Sequence, residues 1–289
     1  MQSLGIESLG FRTDLMLLRL QGSELEDRGD HVVVRSPRNP TYWWGNFLLL
    51  RQPPRPRSAA EWERRFAHEF PRAEHRAFGV DGAFGVDGAS DADGAFGEPA
   101  SCAELVAVGY EVDASSVMTA DRVHEPPHPN REASFRALDL ADAGDREAAI
   151  AVQMSNAADR EPAGHREFLT RKLEAMRGLQ EAGYGAWFGA FVGDRMLSGM
   201  GLFSDGSGVA RFQSVDTRPD ARGRGLAGTL VQHVSSYGFT ELGATTLVMV
   251  ADPGYHAIDV YRSVGFTVSE TQLQLERAPA PRRDDPGSE

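Results

Sequence analysis

The stretch from Val215 to Gly228 constrains this chain more than any other, because it reads as a strand that turns into a glycine-rich helix start. Glycine has no Cβ, so three glycines here allow a ligand to approach the backbone closely. The first N–H groups of a helix lack intrahelical partners and lie at the positive end of its dipole. Two neighbouring arginines add charge-assisted donors. The stretch therefore predicts a pyrophosphate site at a helix N-terminus.

Strands and helices alternate on both sides of this stretch. Apolar periodicity predicts strands over residues 135–139, 185–192, 195–203, 209–217, 245–251 and 266–275, and helices over 142–156, 166–182, 226–241 and 255–264. Helices interleaved with strands in this way are typical of a mixed sheet covered by helices. The fold class predicted for this part of the chain is therefore α/β, or α+β.

The first 120 residues repeat part of the pattern. Strands are predicted over 14–20, 31–35 and 42–50, and a helix over 59–70. The run Val108–Val112 matches Val264–Val268 at an offset of 156 residues. We therefore expect two related domains, at 1–123 and 133–277, joined by a linker at 124–132 and followed by a disordered tail at 278–289. The aromatic stretch 42–44 either packs the interface between the domains or forms a wall of a substrate site.

Two segments resemble metal sites, but their chemistry does not fit. The hexapeptide FGVDGA occurs twice within residues 77–98, and this Gly/Asp-rich composition predicts a flexible insertion. Asp91 and Asp93 suit a calcium loop, but alanines occupy its first and last ligand positions. His124 to His128 spell a zinc-protease pattern, yet two prolines between the histidines prevent the helix that this motif needs. We expect a stiff Pro-rich linker there and no metal.

Composition narrows the possible partners and surroundings. The chain has 42 acidic and 30 basic residues and a net charge of -12, which argues against nucleic acid or an anionic membrane as partner. Cys102 is the only cysteine, so we expect a packed thiol and no intrachain disulfide. With no long apolar run and no secretory start, we expect a cytoplasmic monomer or homodimer. Lys172 is the only lysine, which we attribute to codon usage.

A dinucleotide site is the first alternative for the glycine stretch. Gly223-x-Gly225-x-x-Gly228 spells the nicotinamide fingerprint, and Asp252 follows near a strand end. In that fold, however, the glycines follow directly on a buried strand and several βα units come after them. Here six residues, Arg218 to Gly223 counted inclusively, follow the strand before the motif continues, and about 60 residues remain. A mononucleotide P-loop also fails, because no Gly-Lys-Ser/Thr follows.

The same residues resemble the GCN5-related N-acetyltransferase (GNAT) superfamily. Arg222-x-x-Gly225-x-Ala227 looks like its coenzyme A signature, and Val215-x-Thr217-x-Pro219 precedes it as in the family. Downstream, Ala257-x-x-Val260-Tyr261-x-x-x-Gly265-Phe266 resembles a second motif. An asparagine common in the family is here Gly254. The resemblance covers about residues 133–277.

This resemblance implies a fold and an activity. It implies two GNAT-like domains, each a mixed, mostly antiparallel twisted sheet flanked by helices, with a splayed strand pair at the acyl-CoA cleft. In the first domain, the proline-rich run at 53–58 replaces the phosphate turn, so that domain is expected to be degenerate and to shape structure or substrate. Acetyl-CoA is the implied co-substrate, held in the second domain by Val215, Asp216, Thr217, Arg222, Gly223, Arg224, Gly225, Leu226, Ala227 and Gly228.

The implied reaction is transfer of an acetyl group to an amine of a small molecule or peptide. Tyr261 would protonate the departing thiolate, since a phenol is neutral at pH 7. Asp216, Asp252 or a chain of waters would take the proton of the amine, and Gln213 could polarise a substrate. His233 and His256 lie on predicted helices and are not expected to take part. The remaining alternatives are a non-catalytic acetyl-CoA sensor and an NAD(P)-dependent oxidoreductase.

Overall fold

The structure, a computed structural model, describes residues 4–40, 42–54, 58–84, 102–157, 162–255 and 257–279. The helices are α1 (Leu9–Leu20), α2 (Ala59–Glu69), α3 (Ala103–Ala107), α4 (Ala143–Met154), α5 (Pro162–Glu181), α6 (Leu226–Thr240) and α7 (Ala257–Arg262). The strands are β1 (Glu24–Asp27), β2 (His31–Arg35), β3 (Phe47–Leu50), β4 (Arg76–Phe84), β5 (Glu111–Ala120), β6 (Ser134–Ala137), β7 (Gly185–Val192), β8 (Arg195–Ser204), β9 (Val209–Thr217), β10 (Thr246–Ala251) and β11 (Thr267–Arg277). The predicted mixed α/β class is confirmed, with helices flanking a mostly antiparallel sheet.

The eleven strands of the described residues form one sheet, in the order β1-β2-β3-β4-β11-β5-β10-β9-β8-β7-β6. Only the pairs β3–β4 and β9–β10 are parallel among the described strands. Each of these parallel pairs brackets a helix, α2 in the first half and α6 in the second. The two halves of the chain therefore repeat one β-α-β unit and continue each other's sheet.

The two halves exchange their last strands. β5, which closes the first half in sequence, pairs with β10 of the second half from Leu247↔Ala120 to Ala251↔Ser116. In return, β11 at the end of the second half pairs with β4 of the first half, with Arg277 opposite Arg76. β5 and β11 also pair with each other in the middle of the sheet. Each half is thus completed by a strand of the other, so the sheet does not divide at the predicted linker, and the domain limits stay a prediction.

The repeat at an offset of 156 residues falls on the two exchanged strands. Gly109 and Gly265 precede them, and both adopt left-handed backbone conformations, with φ of 92° and 112°. The aromatic residue that follows each glycine is buried, Tyr110 at 3% and Phe266 at 1% exposure. The short sequence repeat therefore marks a common structural unit: a glycine turn, a buried aromatic ring and the closing strand.

Helix α1 replaces a strand that we predicted over residues 14–20. The prediction was wrong because Leu15, Met16, Leu17 and Leu18 are all buried, so the run shows no helical alternation of apolar and polar residues. The start of the helix is fixed by carboxylates from distant strands. Asp81 accepts the N–H groups of Glu7 and Ser8, and Glu270 accepts from Ser8 Oγ and Gly10 N. Such anions favour a helix N-terminus.

Two other expectations for the first half need correction. Residues 77–84, which we placed in a flexible insertion, belong to β4, where Phe78 and Val80 are completely buried. Residues 85–98 of that segment, including the calcium-like Asp91 and Asp93, lie outside the described residues. The predicted strand 42–50 is a strand only at Phe47–Leu50, since a 3-10 turn occupies Trp43–Gly45. Cys102 is completely buried as a packed thiol, as expected.

Two apolar cores cover the second half of the sheet, one on each face. Adjacent residues of a strand point to opposite faces, and Trp187 and Phe188 on β7 enter different cores. The core of Phe188 includes side chains of α6 and α7, whereas that of Trp187 includes side chains of α1, α4 and α5. The two faces of the sheet can therefore present two different sites. No helix within the described ranges is long and apolar enough to cross a membrane.

Candidate active site

The parallel strands β9 and β10 separate at one end. Their pairing runs from Thr246↔Val209 to Val248↔Arg211 and goes no further, although both strands continue. On the other side of β9, the register with β8 shifts between Gly199 and Gly201. Ser214 lies at this bulge with a φ of 49°, the one positive φ of a non-glycine residue in the described chain. The predicted splayed strand pair is confirmed, and β9 does not pair with β10 beyond Arg211.

The start of α6 has the backbone that an anion site needs. Gly225 is its N-cap residue, with a φ of 72°, and Gly223 has a φ of 74°. No described side chain makes a capping hydrogen bond to this helix start. A Cβ added to Gly223 would meet nothing within 4 Å, so this glycine borders open space. A Cβ on Gly225 would lie 2.0 Å from the carbonyl oxygen of His128, so this position requires glycine for packing.

A cavity of about 720 Å³ lies between the start of α6, the diverging end of β9 and α7. It brings together Tyr261 and every predicted acetyl-CoA-binding residue except Arg224. The predicted residues that line it are Val215, Asp216, Thr217, Arg222, Gly223, Gly225, Leu226, Ala227, Gly228 and Tyr261. The linker also contributes, through Pro126, Pro127 and His128, and so does the exposed ring of Tyr255.

Arg224 turns away from this cavity and towards the linker. Its guanidinium lies 2.6 Å from Glu132, and its carbonyl accepts a hydrogen bond from Asn130 Nδ2 at 2.8 Å. Asn130 also donates its backbone N–H to Thr229 Oγ1. The expected stiff segment therefore packs along the first turn of α6 and forms one wall of the cavity.

Arg222 is held at the cavity by a residue that sequence reasoning missed. Arg222 donates to Asn156 Oδ1 at 2.6 Å, and Asn156 Nδ2 donates to Asp216 Oδ1 at 3.2 Å. Asn156 follows the end of α4 and is 60 residues from Asp216 in sequence. Nothing in the local sequence there indicates a site, because the contact depends on how α4 docks on the sheet.

Tyr261 and Asp216 are the two titratable groups that burial affects most in this cavity. Tyr261 is 5% exposed on α7. Its burial raises the pKa of the phenol above its usual range, and the negative charge of Asp216 raises it further. Burial also raises the pKa of the Asp216 carboxyl, while Lys172, Asn156 and Arg222 oppose that change. The phenol therefore stays protonated at neutral pH, and the carboxyl binds a proton more readily than an exposed aspartate.

Lys172 reaches the same part of β9 from the opposite side of the sheet. It lies on α5, and its ammonium contacts Ser214 Oγ at the bulge. Its charge lowers the pKa of Asp216, against the effect of burial. The only lysine of the chain thus lies at the diverging strands. We had attributed its rarity to codon usage and did not predict this position.

The other candidates from the sequence lie elsewhere. Asp252 is exposed and holds a turn, because its Oδ1 accepts the N–H of Gly254. Gln213 does not line this cavity but a second one on the α1 and α5 face. His233 is exposed on α6 beside Phe135 and Phe188. His256 lies outside the described residues.

The cavity and the splayed strands belong to a known class of protein. Residues 151–266 match the model of the acetyltransferase (GNAT) family. The matched segment runs from the end of α4 through α7 and contains the whole predicted coenzyme A signature. The chain therefore carries a domain of the GNAT acetyltransferase family over residues 151–266, a family that binds acetyl-CoA in general.

Solved structures share the fold over nearly the whole chain. A functionally unknown conserved protein from Staphylococcus epidermidis has a TM-score of 0.66 at 10% identity, covering 90% of this chain and 95% of its own. A GCN5-related N-acetyltransferase from Kribbella flavida has a TM-score of 0.59 at 16% identity, covering 97% of each chain. A tandem GNAT protein from the clavulanic acid biosynthesis pathway has a TM-score of 0.52 at 16% identity, covering 95% of each chain. No curated protein matches the sequence.

Proposed function

We propose that the chain is an acetyl-CoA-dependent N-acetyltransferase with one active site, in its second half. One observation carries the proposal: the glycine start of α6, which no described side chain caps, faces the same cavity as Tyr261 and the free end of β9. An anion-binding helix start, a free strand edge and a proton donor are the three parts that transfer from a thioester carrier requires. The first half is proposed to support this site and to shape the substrate.

The cavity residues fit acetyl-CoA in charge and in shape. Backbone N–H groups from Gly223 to Gly228 would bind the pyrophosphate, since the helix dipole favours an anion there. Arg222 lines the same space and would add a charge-assisted hydrogen bond. The backbone of Val215 and Thr217, on the part of β9 that has left β10, would pair with the pantetheine amides. Arg224 is paired with Glu132 and would stabilise the loop from outside the cavity.

The chemistry is a direct attack of the acceptor amine on the thioester carbonyl. The nitrogen–carbon bond forms, the carbon–sulfur bond breaks and the sulfur leaves as a thiolate. Tyr261 would give its proton to this thiolate, because burial keeps the phenol protonated. The proton that the nitrogen loses as the amide forms would return to the phenol, directly or through water. Asp216 would receive the proton of the acceptor ammonium, directly or through water. Its raised pKa brings it closer to the working pH than an ordinary aspartate.

Amine-dependent release of free thiol tests the proposal. Purified protein, acetyl-CoA and a panel of amines should release coenzyme A thiol, and mass spectrometry should find the acetylated amine. Acetyl-CoA that binds without amine-dependent release would support a non-catalytic sensor instead. A thermal shift with NADH and none with acetyl-CoA would support an oxidoreductase, since a ligand of the folded state raises its melting temperature.

A further inference from the structure

A second cavity, of about 770 Å³, lies on the face of the sheet covered by α1 and α5. Gln213 of β9 and Val250 of β10 line it, and both belong to the diverging ends of these strands. Val215 and Asp216, two and three positions after Gln213 on β9, line the first cavity. An amine bound in the second cavity would therefore approach the thioester at the splay. This inference rests on the proposed function and concerns its acceptor.

Aromatic rings from both halves of the chain form the walls of this second cavity. Tyr42, Trp43 and Trp44 come from the first half, and Phe168 comes from α5. Trp43 is fixed by stacking on His75 at 5.4 Å, and Trp44 Nε1 donates to Glu276 at 3.0 Å. Tyr42 and Phe168 remain 38% and 44% exposed, although large apolar side chains of the described chain are mostly buried. Two fixed rings and two exposed rings on opposing walls favour a flat apolar ligand between them.

The charges of the second cavity disfavour a polycation. Two carboxylates line it, Asp14 and Glu167, against the three cations Arg171, Lys172 and Arg211. Asp14 lies 3.1 Å from Arg211, and Glu167 lies 2.5 Å from Arg171. The lining residues thus carry a formal charge of +1, from three cations and two anions, in a chain of net charge -12. Both lining carboxylates are paired with arginines, so neither is left to bind a second ammonium group of the ligand.

From these walls and charges we infer that the acceptor is a primary amine on an aromatic body with no second positive charge. The ring lies between the aromatic side chains of the two halves, and the amine points to the ends of β9 and β10. The first half of the chain thus supplies acceptor specificity, since four of the five aromatic residues that line the cavity belong to it: Tyr42, Trp43, Trp44 and Phe47.

Acetylation of three amines distinguishes this class from others. We expect 2-phenylethylamine to have a kcat/KM about tenfold or more above those of spermidine and glucosamine, since contacts between aromatic rings are worth about 0.5–1.5 kcal/mol beyond buried area. Spermidine or glucosamine as the better substrate would overturn the inference and leave the proposed function intact. Failure of every amine to accelerate thiol release would instead overturn the proposed function.

Variants of the two exposed rings test the placement. Phe168→Ala and Tyr42→Ala should each raise KM for 2-phenylethylamine about tenfold, with little change in kcat or in the Kd of acetyl-CoA. Tyr184→Ala is the matched control, because Tyr184 is 36% exposed but lines neither cavity. If Phe168→Ala, Tyr42→Ala and Tyr184→Ala all have the KM of the unchanged protein for 2-phenylethylamine, the acceptor binds elsewhere.

Discussion

Asp216 on β9 and Tyr261 on α7 interact across the first cavity, and the negative charge of the carboxylate adds to burial in raising the pKa of the phenol. The two residues are 45 positions apart in sequence, and the packing of α7 against the sheet places them at one cavity. A carboxylate and a phenol whose protonation states differ at neutral pH can serve as base and acid in one reaction.

Removing the phenol oxygen of Tyr261 tests its role as acid. Tyr261→Phe keeps the ring that packs in the core and removes only the proton donor. We expect kcat to fall about 100-fold or more, the usual effect of losing a general acid, with the Kd of acetyl-CoA within about twofold. Steady-state kinetics and calorimetry measure the two quantities. Tyr237→Phe is the control, because Tyr237 packs on Phe188 outside the cavity, and an equal loss in both variants would contradict the role.

The pH dependence of the reaction tests Asp216 as base. A carboxyl with a raised pKa loses its negative charge as pH falls through that raised value. As the pH is lowered, kcat/KM should therefore begin to fall at a pH above 3.8, the usual pKa of an aspartate. Asp216→Asn should lower kcat/KM about tenfold or more and remove this acid limb. Asp252→Asn, in the exposed turn, should change neither. A loss in Asp252→Asn with a normal profile in Asp216→Asn would assign the base to Asp252.

The same shift predicts a change in stability. Because the folded-state pKa of Asp216 is raised, its ionised form costs folding free energy at neutral pH, and this cost disappears as pH falls below the unfolded value. Asp216→Asn should therefore unfold at equal or higher denaturant concentration than the unchanged protein at pH 7, and the advantage should shrink near pH 4. Urea unfolding of both proteins at pH 7 and pH 4 measures this difference in stability. A gain in stability from Asp216→Asn that is larger at pH 4 than at pH 7 would contradict the raised pKa.

Substitution of Gly223 tests whether the phosphates of acetyl-CoA bind beside this residue, when the cost of backbone strain is measured separately. Gly223→Ala and Gly243→Ala each place a side chain at a left-handed φ, 74° and 62°, with nothing within 4 Å of the new Cβ. Each should cost about 1–2 kcal/mol of stability for that conformation. Gly223→Ala alone should also weaken acetyl-CoA binding about tenfold or more, since its Cβ would stand at the phosphate site. Equal Kd values by calorimetry in the two variants would place the phosphates elsewhere.

The exchange of closing strands predicts that the second half does not fold by itself. Without residues 1–125, β10 and β11 lose their shared neighbour β5, and β11 also loses β4. Exposed strand edges of this kind promote aggregation. Residues 126–289 should therefore be aggregated or unfolded by size-exclusion chromatography and circular dichroism, and co-expression with residues 1–125 should restore a soluble complex. A monomeric, cooperatively folded 126–289 fragment would contradict the prediction.

Local sequence predicted the second half of the fold well and the first half less well. Between residues 133 and 277, each predicted helix and strand is present within a few positions, because the helices have apolar residues at helical spacing and the strands are apolar runs that end at turns. Helix α1 escaped prediction because the core surrounds it, which hides its period. Most of β4 escaped because its Gly and Asp resemble a loop, whereas Asp81 accepts hydrogen bonds from the start of α1.

Local sequence likewise predicted only some of the site residues. The phosphate turn and Tyr261 were predictable because a short continuous motif carries each of them. Asn156, Lys172 and the wall of Tyr42 and Phe168 come from elements far apart in sequence, and only the docking of α4, α5 and the first half brings them to the strands. The exchange of β5 and β11 was likewise not predictable, since the short repeat gives the strands but not their neighbours.

A crystal structure of the protein with acetyl-CoA tests the central claim most directly. The account predicts density for the diphosphate within hydrogen-bond distance of backbone N–H groups between Gly223 and Gly228, with the thioester between the ends of β9 and β10 and near Tyr261. Acetyl-CoA bound with its diphosphate away from this helix start, or a first cavity that stays empty of it at saturating concentration, would contradict the account.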